Sequence, residues 1–203
     1  MIKRGIIPAE GFADVVERLT EPLAVDRLVR LAEEHRERGN IGVAFTYNEP
    51  FIWFEYVLEA SRALKERGLK TVLVTNGYVN EAPLKELLPF IDAMNIDIKG
   101  FSDDFYRQVG GRLAPVLRTA ELAKDACHVE ITNLLIPGLN TDQAQIKGLV
   151  DWIADTLGPN TPFHLSRYFP ARRFKAAQTS LADLENARQL AAGRLRSVIL
   201  GNV

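Results

Sequence analysis

Asp97 and Lys99 stand two apart in the run Met94-Asn95-Ile96-Asp97-Ile98-Lys99-Gly100. On an extended strand that spacing puts both side chains on one face. A lone buried charge there is costly, whereas a pair or a ligand contact offsets the cost. Two readings follow. The residues form a mutually satisfied ion pair at a sheet rim, or Lys99 takes a carboxylate while Asp97 takes a hydroxyl, an ammonium or a cation. A third, an aldolase-like site with Lys99 as Schiff-base amine, uses the same residue.

Four more polar clusters share this character. Asn48 and Glu49 lie in Thr46-Tyr47-Asn48-Glu49-Pro50. Glu49 before a helix-initiating proline is a capping carboxylate or an acceptor for a ligand ammonium. Thr75-Asn76-Gly77 reads as a turn, since Asn and Gly both tolerate positive φ. Glu130 and Thr132 alternate with Val129, Ile131 and Asn133. Two polar residues on one strand face suit a polar, ligand-holding lumen. His164, Ser166 and Arg167 form the last cluster, where a guanidinium at a strand end suits carboxylate or phosphate. Pro137-Gly138-Leu139-Asn140 reads as a turn, and Arg172 and Arg173 as solvated surface. His35, His128 and Cys127 make no metal triad.

Each cluster closes an apolar run, and an amphipathic stretch separates each run from the next. That rhythm predicts strands over about 41–47, 71–74, 93–98, 128–136, 163–168 and 197–200. The first helix is expected over 22–38, capped by Thr20, with Val25, Leu28, Leu31, Ala32 and His35 on one face. The second opens at Pro50 with the stripe Ile52, Trp53, Tyr56, Val57, Ala60 and Leu64. Short helices follow near 83–88 and after the cap Ser102. Longer ones are expected over 114–124, 142–157 and beyond the capping pair Ser180 and Asp183. Short, continuously apolar strands are those of a parallel sheet. The expected class is α/β with mostly parallel strands, and six strands in 203 residues suggest a smaller or open barrel. The ligand then sits at the carboxyl ends of the strands, where the clusters fall.

The chain has 203 residues, 47% of them hydrophobic, enough for a single domain with its own core. Residues 1–21 form no legible element, and 22–203 form the barrel. A net charge of −1 favours neither nucleic acid nor an acidic membrane surface. No apolar run spans a bilayer and no signal peptide is seen, so the expected location is the cytoplasm. One cysteine, Cys127, permits no internal disulfide and no cysteine-ligated cluster built from this chain alone.

Several phrases resemble radical S-adenosylmethionine (SAM) enzymes, more narrowly the pyruvate formate-lyase activating enzyme-like group with its AmmeMemoRadiSam branch. They are Gly42-Val43-Ala44-Phe45-Thr46-Tyr47-Asn48-Glu49-Pro50, Val74-Thr75-Asn76-Gly77, Asn95-Ile96-Asp97-Ile98-Lys99-Gly100-Phe101, the run 128–138 and His164-Leu165-Ser166-Arg167-Tyr168-Phe169-Pro170. The similarity runs from about residue 20 to residue 203. It implies an α/β fold, a partial (β/α)6 TIM-like barrel of mostly parallel strands, in which Asn48-Glu49-Pro50 holds the methionyl amino group of SAM, and Thr75, Asn76, Asp97 and Lys99 line the same ligand. Glu130, Thr132, His164, Ser166 and Arg167 complete the implied cradle. Val74 stands where activating enzymes can carry an aspartate for a nearby cation.

The family binds a [4Fe-4S] cluster through CxxxCxxC after its first strand, and that motif is absent here. The expectation is therefore a SAM-binding core whose first strand is missing and which is inactive by itself. The intact enzyme would form a 5′-deoxyadenosyl radical and abstract hydrogen, with a glycyl-radical or other protein as partner. The alternative is a cluster-free binding or interaction module derived from that fold. A missing first strand also leaves an unpaired edge on strand 41–47, where a second copy can pair.

Overall fold

Alternation along the apolar runs sets the architecture. In the computed structural model, which describes residues 21–171 and 176–203, six strands form one sheet. They are β1 (Gly42–Phe45), β2 (Lys70–Thr75), β3 (Ala93–Asp97), β4 (His128–Leu135), β5 (Phe163–Arg167) and β6 (Val198–Gly201). The strands pair in chain order and every pairing is parallel. Among the described residues β1 bonds only to β2 and β6 only to β5, so the sheet is a partial barrel that does not close.

The helices are α1 (Val25–Glu34), α2 (Phe54–Glu66), α3 (Glu81–Leu87), α4 (Asp103–Gln108), α5 (Leu113–Lys124), α6 (Gln143–Trp152) and α7 (Leu181–Ala192). At least one lies between each pair of consecutive strands, the crossover that parallel strands require. They cover one face of the sheet. Leu73, Met94, Ile96, Ile131, Leu135, Phe163 and Leu165 from the strands form a single core with Val57, Leu64, Val116, Leu149 and Leu184 from the helices. The side chains between them, from Val72 to Ser166, keep intermediate exposure. Among the described residues the strands are thus buried on one face only, not on both as their apolar character suggests, because no described element covers the second face of the open sheet.

Local chemistry explains most boundaries. Ser102 and Ser180 each accept a hydrogen bond from the third residue beyond, capping α4 and α7 as expected, and Asp142, expected inside its helix, caps α6 in the same way. Gly42 permits β1 to approach β2, since a Cβ there would lie 1.9 Å from the Lys70 carbonyl oxygen. Gly77 has φ of +68°, and a Cβ on it would meet Ile96 Cγ2 at 2.9 Å.

Three helix expectations need correction. The first helix starts at Val25 instead of 22, with Ala24 at its cap making no side-chain bond; Thr20 lies outside the described residues. It packs against α2 through Val29 and Ala32, which turns Leu31 and His35 outward. Pro50 opens a 3-10 turn, Pro50–Trp53, and the α-helix begins only at Phe54, so Ile52 is 77% exposed. The helix expected over 142–157 ends as α-helix at Trp152 and continues as a π-helical turn, Ile153–Leu157.

Candidate functional site

Period-2 geometry sorts the expected site residues onto two faces. On the open face lie Asn95, Asp97 and Lys99 from β3 and its end, Glu130 and Thr132 from β4, and His164 and Ser166 from β5. Register joins them into rows: Asn95 beside Glu130, Asp97 beside Thr132 beside His164, and Leu134 beside Ser166 beside Gly201.

Asp97 and Lys99 are paired at 2.6 Å and keep 27% and 38% of their side-chain surface. Both of the first two readings survive this geometry. An ammonium has three donors and Asp97 engages one, so Lys99 retains capacity for a second anion. Its backbone is held from both sides: the N–H donates to Tyr106 Oη at 3.1 Å, and the carbonyl accepts from Asn140 Nδ2 at 2.7 Å. Thr132 Oγ1 donates to Asn95 Oδ1 at 2.7 Å.

Glu130 bridges two imidazoles. Its Oε1 lies 3.1 Å from His128 Nε2 and its Oε2 lies 2.7 Å from His164 Nε2. Burial pushes the Glu130 carboxyl up, but these two hydrogen bonds outweigh it and hold the group below the usual carboxylate range.

Glu49 sits at the 3-10 turn as its cap. Oε1 accepts from Phe51 N–H at 3.3 Å and from Thr75 Oγ1 at 2.6 Å, and Oε2 accepts from Asn76 N–H at 2.8 Å. The capping role is therefore present, and it extends to tying the ends of β1 and β2 together. A carboxylate offers about four lone-pair directions, so one is left on Oε2. Thr75 itself is buried, and Asn76 uses its Oδ1 to accept from Tyr78 N–H in an Asx turn. Asn48 is exposed.

Arg167 differs from the rest of its cluster. It alternates with Ser166 onto the helix-covered face, in register with buried Leu135. There its Nε donates to the Thr179 carbonyl at 2.8 Å and its guanidinium lies over the Phe169 ring. Arg172 and Arg173 fall outside the described residues.

Three polar anchors of this end of the sheet lie outside the expected site residues. Asn140 accepts from Ile136 N–H and donates to the Lys99 and Leu134 carbonyls. Asn133 donates to the Ile98 carbonyl at 2.6 Å. Thr179 Oγ1 accepts from Tyr168 N–H and donates to the Leu135 carbonyl. All three side chains are buried. Only Asn140 carried a signal, its place after Pro137-Gly138.

Thiolates are what an iron–sulfur cluster requires. Cys127 is the only cysteine of the chain, precedes β4 at the sheet's opposite end, and its thiol is pushed up to about 11 by burial and the nearby Asp92. The residues of this chain do not fit such a cluster. Among the described residues no group of three His, Cys, Asp or Glu is placed to hold a metal ion, and no helix is long and apolar enough to cross a membrane.

A family model described as the Radical SAM superfamily matches residues 12–152. An uncharacterized protein of Methanocaldococcus jannaschii, MJ0808, is 40% identical over 166 residues, which is 80% of this chain and 49% of that protein. The pyruvate formate-lyase 1-activating enzyme of Escherichia coli K12 is 29% identical over 120 residues, 56% of this chain and 48% of the enzyme. The chain spans about half the length of the curated relatives it matches. Among solved structures, a domain of pyruvate-formate lyase-activating enzyme from Bacteroides vulgatus superposes with a TM-score of 0.69 at 18% identity, over 79% of this chain and 99% of that one. Streptococcus suis SuiB bound to S-adenosylmethionine gives 0.70 at 15% identity, over 90% of this chain and 44% of that one. These two likenesses are of fold.

Proposed function

This chain belongs to the radical SAM superfamily, and from that premise we propose that its open face binds SAM as the core of an enzyme resembling the glycyl-radical activating enzymes. The observation that carries the reading is the Asp97–Lys99 pair, half-exposed at the carboxyl end of β3 and held by Tyr106 and Asn140. SAM offers an α-carboxylate and an α-ammonium. Lys99 has donors for the first, and Asp97 with the free lone pair of Glu49 suits the second. Asn76, Thr132 and Ser166 supply further polar contacts, and Asn48 stands at the outer edge. Thr75 acts through Glu49, and Arg167 through the segment it pins behind the sheet.

Hydrogen abstraction by a 5′-deoxyadenosyl radical, with a protein partner carrying the glycyl radical, is the proposed activity of a protein larger than this chain. The electron for that chemistry needs cluster thiolates, which these residues do not include. The single cysteine favours a second reading, a cluster-free binding module. The coding sequence ahead of Met1 separates the two: an in-frame CxxxCxxC supports the enzyme, and its absence supports the module. Association is part of the same proposal, since the edge of β1 that pairs with no described strand is where a second copy would add one. A dimer in light scattering supports this and a monomer contradicts it.

SAM binding is tested by thermal unfolding. A ligand that binds only the folded chain stabilises it by RT ln(1 + [L]/Kd), about 2.7 kcal/mol at a hundredfold excess over Kd. The reading expects a SAM-dependent rise in Tm, and an unchanged Tm at millimolar SAM contradicts it.

A further inference from the structure

Glu130 is gripped from two sides on the open face, by His164 at 2.7 Å and by His128 at 3.1 Å. Its side chain keeps 33% of its surface and that of His164 keeps 25%. The pair is neither sealed in the core nor loose in solvent. Hydrogen bonds from the imidazoles hold Glu130 ionised, and an ionised carboxylate only accepts. Each imidazole must therefore present its proton at Nε2. A neutral imidazole protonated at Nε2 carries its lone pair on Nδ1. No protein partner engages His164 Nδ1 among the described residues.

We propose that His164 is a proton acceptor for a hydroxyl or ammonium group of a molecule bound on the open face, with Glu130 as its positioning residue. The proton leaves the ligand's O–H or N–H, whose bonding pair stays on the oxygen or nitrogen, and the Nδ1 lone pair receives it. The resulting imidazolium lies against the Glu130 carboxylate, which stabilises it. No electron changes hands. Glu130, with both oxygens engaged, orients the base instead of touching the ligand. The inference shares its face with the proposed SAM site but requires only that a protic molecule binds there.

The chain has three histidines, which makes the test tractable. His35 is an internal control, because its Nδ1 lies 2.8 Å from the Leu31 carbonyl and must donate. Long-range nitrogen–proton NMR at neutral pH is expected to show His164 protonated at Nε2 and His35 at Nδ1. Glu130→Leu should leave His164 a mixture of tautomers, while Glu130→Gln, which still accepts, should retain the Nε2–H form. Diethyl pyrocarbonate, mapped by peptide mass spectrometry, reports the lone pair. His164 should react in the native chain and several-fold more slowly in Glu130→Gln, whose uncharged amide no longer supports the imidazolium. An Nδ1-protonated His164, or equal reaction rates in the native chain and Glu130→Gln, overturns the proposal. The SAM reading is judged separately in the same assay. Protection of His164 by saturating SAM supports a shared face. Absence of SAM binding with the tautomer and rate pattern intact removes the SAM reading and leaves the proton acceptor standing.

Discussion

Thr75 Oγ1 donates to Glu49 Oε1 at 2.6 Å and so joins the last residue of β2 to the cap that follows β1. The same carboxylate takes the N–H groups of Phe51 and Asn76. Removing it strands a hydroxyl on a residue only 2% exposed, along with two backbone donors. Leaving such groups unsatisfied costs about 1–3 kcal/mol. Glu49→Ala is therefore expected to lose that much stability in urea unfolding, while Glu49→Gln, which keeps an acceptor, loses less. Equal stability of Glu49→Ala and the native chain would refute the tie.

Asn140 makes the corresponding tie between β3 and β4. Its amide satisfies the Lys99 and Leu134 carbonyls and its Oδ1 takes Ile136 N–H. Asn140→Ala is expected to cost about 2–3 kcal/mol in chemical denaturation. It should also broaden or shift the Lys99 amide resonance, because that backbone loses an anchor. A Lys99 amide that does not respond would show the tie to be dispensable.

Glu130 sets a pH dependence whose sign is fixed by geometry. Its folded carboxyl is depressed below the ordinary value of 4.5, despite burial acting the other way, by its bonds to His128 and His164. A depressed carboxylate stabilises the fold above the unfolded pKa, and that contribution is lost as pH falls through the folded value. The Tm gap between the native chain and Glu130→Gln should be full above the ordinary carboxylate value and close as pH falls through the lower value of the folded carboxyl. A gap that widens on acidification runs against this assignment.

Cys127 tests the mismatch with an iron–sulfur cluster. Its thiol is raised to about 11 from an ordinary 9.0, which lowers the thiolate fraction on the order of a hundredfold. Iodoacetamide should therefore alkylate it at least ~10-fold more slowly in the native chain than in denaturant. Incubation with iron and sulfide should leave no brown, cluster-bearing protein. Fast native alkylation, or a stable cluster, contradicts the burial argument.

Strand positions were legible because each apolar run ends in a polar cluster, and Asp97 and Lys99 were placed on one face by spacing alone. The same alternation also separates Ser166 from Arg167, yet polar character at the strand end groups the two together. Glu49 is joined to partners 26 and 27 residues away, and Asn140 to one 41 residues away. Contacts of that separation leave no local trace, so a cap and a turn were all that sequence could show at either place. The helix starts shifted for a similar reason: packing of α1 on α2, invisible in one helix's periodicity, selects Val29 over Leu31.

Calorimetric titration of the chain with SAM, beside Lys99→Ala, tests the central claim most directly. Hydrogen bonds to charged groups are worth about 1.5–3 kcal/mol. The account predicts measurable binding that weakens about 10-fold or more in Lys99→Ala, with Tm of the apo variant nearly unchanged. No heat of binding in the native chain, or equal affinity in the variant, would contradict it.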